Sequence, residues 1–203
     1  MTSYRLPRGP VAAVAIGALS LSLTACFSSG VDTGAEGASE RISIAMLQPP
    51  RSGLTPLSDD AFKLSRWSMA ETLIVLDENG DAQPALATEW EQVGDTEWRF
   101  TVREGVTFHD GTDLTAEQVA ASLTAATQAS PLPRILNGVG MGVEADGDTV
   151  IITTENPDPL VPHRLSSPQL AILAAAAYRE DGVVDPVGHG SGPFTLIAVD
   201  GTS

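Results

Sequence analysis

Seven consecutive residues, Glu97 to Arg103 (EWRFTVR), constrain this chain more than any other stretch. Trp98, Phe100 and Val102 alternate with Glu97, Arg99, Thr101 and Arg103. A period of two puts the apolar set on one face and the polar set on the other. That is the pattern of a half-buried antiparallel strand, with one face on a core and one in water. Such a strand needs neighbours, and Ala87 to Val93, joined to it across Gly94-Asp95, reads as the other arm of a hairpin. Trp90 and Trp98 admit a ligand-stacking role, but in this setting they read as the core of the sheet.

The surrounding stretch, Arg66 to Val119, carries two more strong local signals. Glu71 to Asp77 (ETLIVLD) is an apolar run ending at Glu78-Asn79-Gly80-Asp81, and Asn-Gly tolerates the positive φ that a tight turn demands. Pro84 to Ala87 reads as a short link. After a turn at Phe108-His109-Asp110-Gly111, Leu114 to Val119 (LTAEQV) announces a helix. Thr115 is placed to cap its free amides and Gln118 to return the bond, while Leu114 and Val119 are spaced as a staple. The helix is predicted from about Ala116 to about Thr127, with Val119, Leu123 and Ala126 on its apolar face, and Ser130-Pro131-Leu132-Pro133 stops it.

Weaker patterns fill the rest. Arg41 to Leu47 (RISIAML) reads as a short strand stopped by Gln48-Pro49-Pro50, and Arg51 to Asp60 as loop. A short helix is expected over Ala61 to Met69, with Phe62, Ser65 and Met69 on one side. Val139, Met141 and Val143 alternate, Asp146-Gly147 turns the chain, and Asp148 to Glu155 returns as a second hairpin. Leu160 to Leu165 is helix-like, Ala171 to Tyr178 is apolar without a decisive period, GHGSGPF is a glycine-rich turn, and Phe194 to Val199 reads as a final strand.

The N-terminus reads as an address. Arg5 and Arg8 precede an apolar run, Val11 to Leu23, that ends in small residues, which is the layout of a secretory signal. The run is shorter than the roughly 20 apolar residues a spanning helix requires. The two arginines are not adjacent, against twin-arginine export. The tetrad LTAC that closes the run resembles the bacterial lipobox. That resemblance implies cleavage after residue 25, lipid on Cys26, and a flexible tether over residues 26–40 that is rich in Ser, Gly and acidic side chains.

Composition and motifs exclude several classes of function. The formal charge is −15, with 11 basic and 26 acidic side chains, and no basic cluster exists to meet a phosphate backbone, so nucleic acid is not a partner. Cys26 is the single cysteine, which rules out an internal disulfide and a zinc site of two or more thiolates. His109 beside Asp110 invites a metal pair or an acid–base dyad, but no second histidine lies at ligand spacing, and His109 reads as a solvent-side turn residue. Gly190-Ser191-Gly192 lacks the spacing of a nucleophile elbow, and the same stretch lacks the Lys-Ser/Thr of a phosphate loop. No catalytic or metal residues are assigned.

The ordered segments AETLIVLDENGDAQPALATEWE, WRFTVREGVTFHDGTDLTAEQVAASL, DTVIITTENPDPL and GSGPFTL resemble family 5 extracellular solute-binding proteins of ABC importers. That family includes oligopeptide-, dipeptide- and nickel-binding lipoproteins, and the likeness covers roughly residues 41–203. Gln118 stands where an Asp is common, and Ala70 where Tyr usually precedes Glu71. The resemblance implies an α/β, periplasmic-binding-protein-like (type 2) fold. The resemblance implies a truncated version of it, because family members continue for several hundred residues that build a second lobe. What is present corresponds to the start of lobe one plus the small α+β accessory subdomain. The resemblance further implies a non-catalytic protein without a cofactor, anchored outside the cell membrane or in the periplasm. It would capture a solute, a peptide before nickel or another metal chelate, and deliver it to ABC permease subunits. By position it makes Trp67 and the Arg164-to-Gln169 segment, with Arg164 and Gln169 at its ends, the ligand-binding candidates. A lipoprotein that only interacts, and a hydrolase built on His109 and Asp110, are the readings from other classes.

Overall fold

The structure, a computed structural model, describes residues 47–200. The signal segment 1–25, Cys26, the tether 26–40 and nearly all of the strand expected at Arg41 to Leu47 lie outside the described residues. Leu47 itself is exposed in a bend.

In chain order the elements are α1 (Ala61–Arg66), β1 (Ile74–Leu76), β2 (Ala82–Pro84), β3 (Ala87–Gln92), β4 (Glu97–Val102), α2 (Ala116–Gln128), β5 (Gly142–Asp146), β6 (Thr149–Thr153) and α3 (Val161–Arg164). Short 3-10 turns occupy Arg134–Leu136, Pro168–Leu170 and Ala175–Ala177. Four strands form one antiparallel sheet in the order β3-β4-β6-β5, while β1 and β2 pair as a separate hairpin.

The alternating strand is central, as its sequence requires. Trp98, Phe100 and Val102 are buried, and their register sets the neighbours: Phe100 faces Trp90 on β3 and Val150 on β6, and Trp98 faces Ile152. Both tryptophan rings stack near Phe100 with centroids 6.4 Å away, so the Trp pair is core as expected. Helix α2 covers the inner face of this sheet over β5 and β6, burying Val119, Leu123 and Ala126 into the same core. Full burial of a side chain the size of Val119 or Leu123 stabilises by about 1.5–3 kcal/mol.

The entry to α2 follows the expected cap on one side only. Thr115 Oγ1 accepts from Gln118 N at 3.3 Å, and Leu114 and Val119 are both buried. Gln118 does not return the bond. Its Oε1 instead accepts from Ala175 N at 2.8 Å, tying the helix to the Ala175–Ala177 turn. A distant amide competed for the side chain and won.

Both Xaa-Gly turns form. Asp77 Oδ1 accepts from Asn79 N at 2.8 Å and Asp81 N at 3.0 Å, and Gly80 takes φ +86°. Strand β2 then pairs with β1, so Pro84, expected in a link, is the last residue of a strand, where its missing N–H breaks little of the ladder.

Two expectations are corrected. Helix α1 stops at Arg66 rather than reaching Met69, and Ser68 takes a left-handed φ of +51°. It buries Ala61 and Leu64, not the Phe62 side, and Phe62 is 61 % exposed. Phe194 to Val199 forms no strand. It is held by Gly188 N to Leu196 O at 2.9 Å and by Phe194 N to Ser68 O at 3.4 Å, with no ladder partner among the described residues. Strand-like composition alone does not make a strand where no edge is offered.

Residues 188–194 cross directly over residues 68–71. A Cβ added at Gly190 would overlap the Met69 carbonyl, and one at Gly192 the Ser68 carbonyl, so only glycine permits the approach.

Candidate functional site

Three segments distant in sequence meet at an open cleft of about 320 Å³ lined by Asp59, Phe62, Arg134, Ile135, Ser167 and Gln169. Asp59 and Phe62 come from the start of α1. This end of the helix is held by Asp60, whose carboxylate accepts from Arg51 N (2.8 Å), Ser52 N (2.7 Å), Ser52 Oγ (2.9 Å) and Leu54 N (3.4 Å), and pairs with Lys63 Nζ at 2.6 Å. Burial opposes ionisation of Asp60. The bonds from Lys63, Ser52 and Arg51 outweigh it and hold the carboxyl well below the usual range.

Arg134 and Ile135 come from the turn after the Ser130-Pro131-Leu132-Pro133 stop, and Ser167 and Gln169 from the turn after α3. Ser167 Oγ accepts from Gln169 N at 3.3 Å, which caps that turn. The lining thus offers a guanidinium, a carboxylate, an amide, a hydroxyl and two apolar side chains. That mixture suits an organic solute with a polar end. Across the rim Arg134 Nη2 reaches Asp59 Oδ1 at 3.2 Å.

The three residues expected from the sequence do not line one cavity. Gln169 lines the cleft directly. Arg164 stands behind it: Nε pairs with Asp158 Oδ2 at 2.6 Å and Nη1 donates to Ile135 O at 2.8 Å, so its guanidinium fixes the wall that Ile135 forms. Asp158 is itself tied to the sheet, for its carbonyl accepts from Trp98 Nε1 at 3.2 Å. Trp67 follows the last residue of α1 and packs, half-buried, against a second apolar cluster of Leu54, Leu64, Ala171 and Leu173.

Asp59, Phe62 and Arg134 were not singled out by the sequence. The available signal was an arginine directly after a proline-rich helix stop in a chain poor in cations.

His109 is not a solvent-side residue. It is half-buried, with Nε2 donating to Gly192 O at 2.7 Å and its backbone N to Gly190 O at 2.8 Å, and so clamps the turn at 108–111 onto the glycine crossing. A carbonyl 83 residues away claims the ring. Asp110 Oδ1 accepts from Thr112 N at 2.9 Å and Thr112 Oγ1 at 2.6 Å. Burial opposes its ionisation, yet the Thr112 bonds and nearby His189 hold the carboxyl below its ordinary value. His189 Nδ1 donates to Asp185 O at 3.0 Å, and its Nε2 lies 4.0 Å from Asp110 Oδ2. Ser191 Oγ donates to Glu71 Oε2 at 2.9 Å. These groups are engaged in closing the crossing. Among the described residues no group of three or more His, Cys, Asp or Glu is placed to hold a metal ion.

Two larger clefts are present among the described residues. One of about 690 Å³ lies between the loop at 52–58, the end of α2 and residues 178–184, and one of about 430 Å³ lies beside β1 and Pro193.

Comparison with known proteins gives a consistent result. Residues 81–202 match the profile of the bacterial extracellular solute-binding proteins, family 5 Middle. Over 129 residues the chain is 33% identical to the uncharacterized protein YhjP of Bacillus subtilis (strain 168), covering 62% of this chain and 21% of that protein. Its structure is similar to that of a nickel ABC transporter from Bacillus halodurans, with 32% identity and a TM-score of 0.60, covering 72% of this chain and 30% of that one. It is also similar to a substrate binding protein from Microbacterium hydrocarbonoxydans complexed with 4-hydroxybenzoate hydrazide, with 31% identity and a TM-score of 0.63, covering 75% and 33%. The pheromone receptor PrgZ, whose mode of peptide binding is known, shares the fold at 21% identity and a TM-score of 0.62, covering 76% and 36%. The chain thus spans about a third of the length of these structures and about a fifth of YhjP.

Proposed function

We propose, from the premise that this chain belongs to the family 5 bacterial extracellular solute-binding proteins, that it serves as the substrate-binding component of an ABC import system. Its fold is the type 2 periplasmic-binding-protein-like architecture in part. In this reading it captures a small solute outside the membrane and hands it to the permease subunits. A short peptide is the first candidate. The observation that carries this is the cleft, where Arg134 and Gln169 offer donors to a peptide's polar end and Phe62 and Ile135 offer apolar surface to a side chain. Gln169 would touch the solute, Arg164 would hold the wall through Ile135, and Trp67 would support α1 from beneath.

A second reading, a nickel or other metal chelate, draws support from the likeness to the nickel ABC transporter of Bacillus halodurans. In that case the guanidinium, amide and hydroxyl of the lining would meet the organic part of the chelate, since none of these groups is a favoured nickel ligand. Calorimetry of the full chain against short peptides, nickel ions and nickel–histidine separates the two. Heat with peptides alone supports the first reading and heat with the chelate alone the second. Silence with all three refutes both readings for this chain.

The anchor completes the proposal. Cys26, released as the mature N-terminus by cleavage at LTAC, would carry lipid and hold the protein at the outer face of the membrane through residues 26–40. Mass spectrometry of exported protein tests this, and an unmodified Cys26 refutes it.

A further inference from the structure

We infer that Arg134 reads a carboxylate on the incoming solute and that Asp59 is its resident competitor, displaced when the solute binds; this rests on the solute-binding reading above. The argument comes from contrasting three ion pairs beside the cleft. Lys63–Asp60 and Arg164–Asp158 are both 2.6 Å long and at least three-quarters buried, and each member except Lys63 makes further bonds to backbone or side chain. These two are struts.

Arg134–Asp59 differs on every count. It is longer, at 3.2 Å, and its side chains are 80 % and 83 % exposed. A single guanidinium nitrogen bonds to a single carboxylate oxygen, and neither side chain makes another hydrogen bond among the described residues. An exposed, solvent-screened pair of this kind contributes little, so little opposes its opening. Arginine prefers two parallel bonds to a carboxylate. Asp59 leaves that preference unmet, and a free carboxylate in the cleft could satisfy it.

Charge supports the same assignment. A chain of formal charge −15 repels an anion in general, and Arg134 is the cation in the lining of this cleft. Asp59 keeps the position partly neutralised and imposes a small, easily displaced competition on the incoming carboxylate.

The test is calorimetry of the full chain in detergent, using leucyl-leucine and its C-terminal amide as probes. The wild type is expected to bind the acid more tightly than the amide. Asp59→Asn should tighten the acid about two- to fivefold, the span that a surface pair of this strength represents, and leave the amide unchanged. Arg134→Gln should abolish the preference for the acid. Equal binding of both probes by the wild type, or an unchanged acid affinity in Asp59→Asn, overturns this inference and leaves solute binding standing. Binding of neither probe to any of the three proteins overturns the inference and the peptide reading together.

Discussion

Replacing Asp60 with alanine is the sharpest test of how the cleft is supported. The side chain is 2 % exposed, and its two oxygens serve four hydrogen-bond donors of the loop at 51–54 and the Lys63 ammonium. Alanine leaves those donors without their acceptor and Lys63, itself 16 % exposed, without its counter-ion. Breaking a buried pair from one side costs about 3–5 kcal/mol. Water can reach Arg51 and Ser52 once the loop loosens, so the lower end, about 3 kcal/mol, is expected. A domain of this size would lose about 6–12 °C of Tm for that change. Urea melts followed by tryptophan fluorescence measure the cost, and hydrogen exchange at the Ser52 and Leu54 amides locates it.

The pH dependence gives an independent check. The folded carboxyl sits below its ordinary value, so its contribution is fully present above about pH 4 and is lost as pH falls towards the folded value. The difference between wild type and Asp60→Ala should therefore hold from pH 7 to pH 5 and narrow from pH 4 to pH 2. A variant within about 0.5 kcal/mol of wild type at pH 7, or a difference that stays constant down to pH 2, refutes the reasoning.

Four further substitutions probe the scaffold. Gly192→Ala drives a methyl into the Ser68 carbonyl and should cost about 3 kcal/mol or more, read from the denaturant midpoint. Phe100→Ala, beneath Trp90 and Trp98, should cost about 3–5 kcal/mol in the same assay and blue-shift or broaden little else if the sheet closes over the void. Thr115→Ala and Gln118→Ala should each cost about 1 kcal/mol, because each removes one bond to a backbone amide. Their effects should add to within about 0.5 kcal/mol, since the two side chains serve different amides. A large coupling energy in the double-mutant cycle would instead indicate a reciprocal cap.

The legible parts of the fold were those whose determinants lie close together in the chain. The β4 alternation, the Asn79-Gly80 and Asp146-Gly147 turns, and the Thr115 cap each depend on a handful of neighbouring residues, and all appear in the structure. The family likeness was legible for the same reason, since it rests on an ordered series of such local patterns. Phe194 to Val199 shows the limit: its composition suits a strand, but a strand exists only when another edge accepts its hydrogen bonds. Phe62 shows a second limit. A six-residue helix has too few turns for its apolar face to be read from spacing, and the Asp60 anchor decides which side turns inward.

The candidate site was less legible, and the polar side chains explain why. An arginine, histidine or glutamine has no periodic signature; its role depends on which group arrives from elsewhere. Gln118 is claimed by Ala175, His109 by Gly192, Arg164 by Asp158 and Ile135, while Arg134 meets Asp59 from 75 residues away. The sequence alone determined the turns, the central strand and the helix start, because short-range hydrogen bonds and burial period decide those. The tertiary structure alone decided which polar groups are consumed in holding the fold and which are left facing the cleft. That division turns on contacts across scores of residues, and no local pattern encodes it.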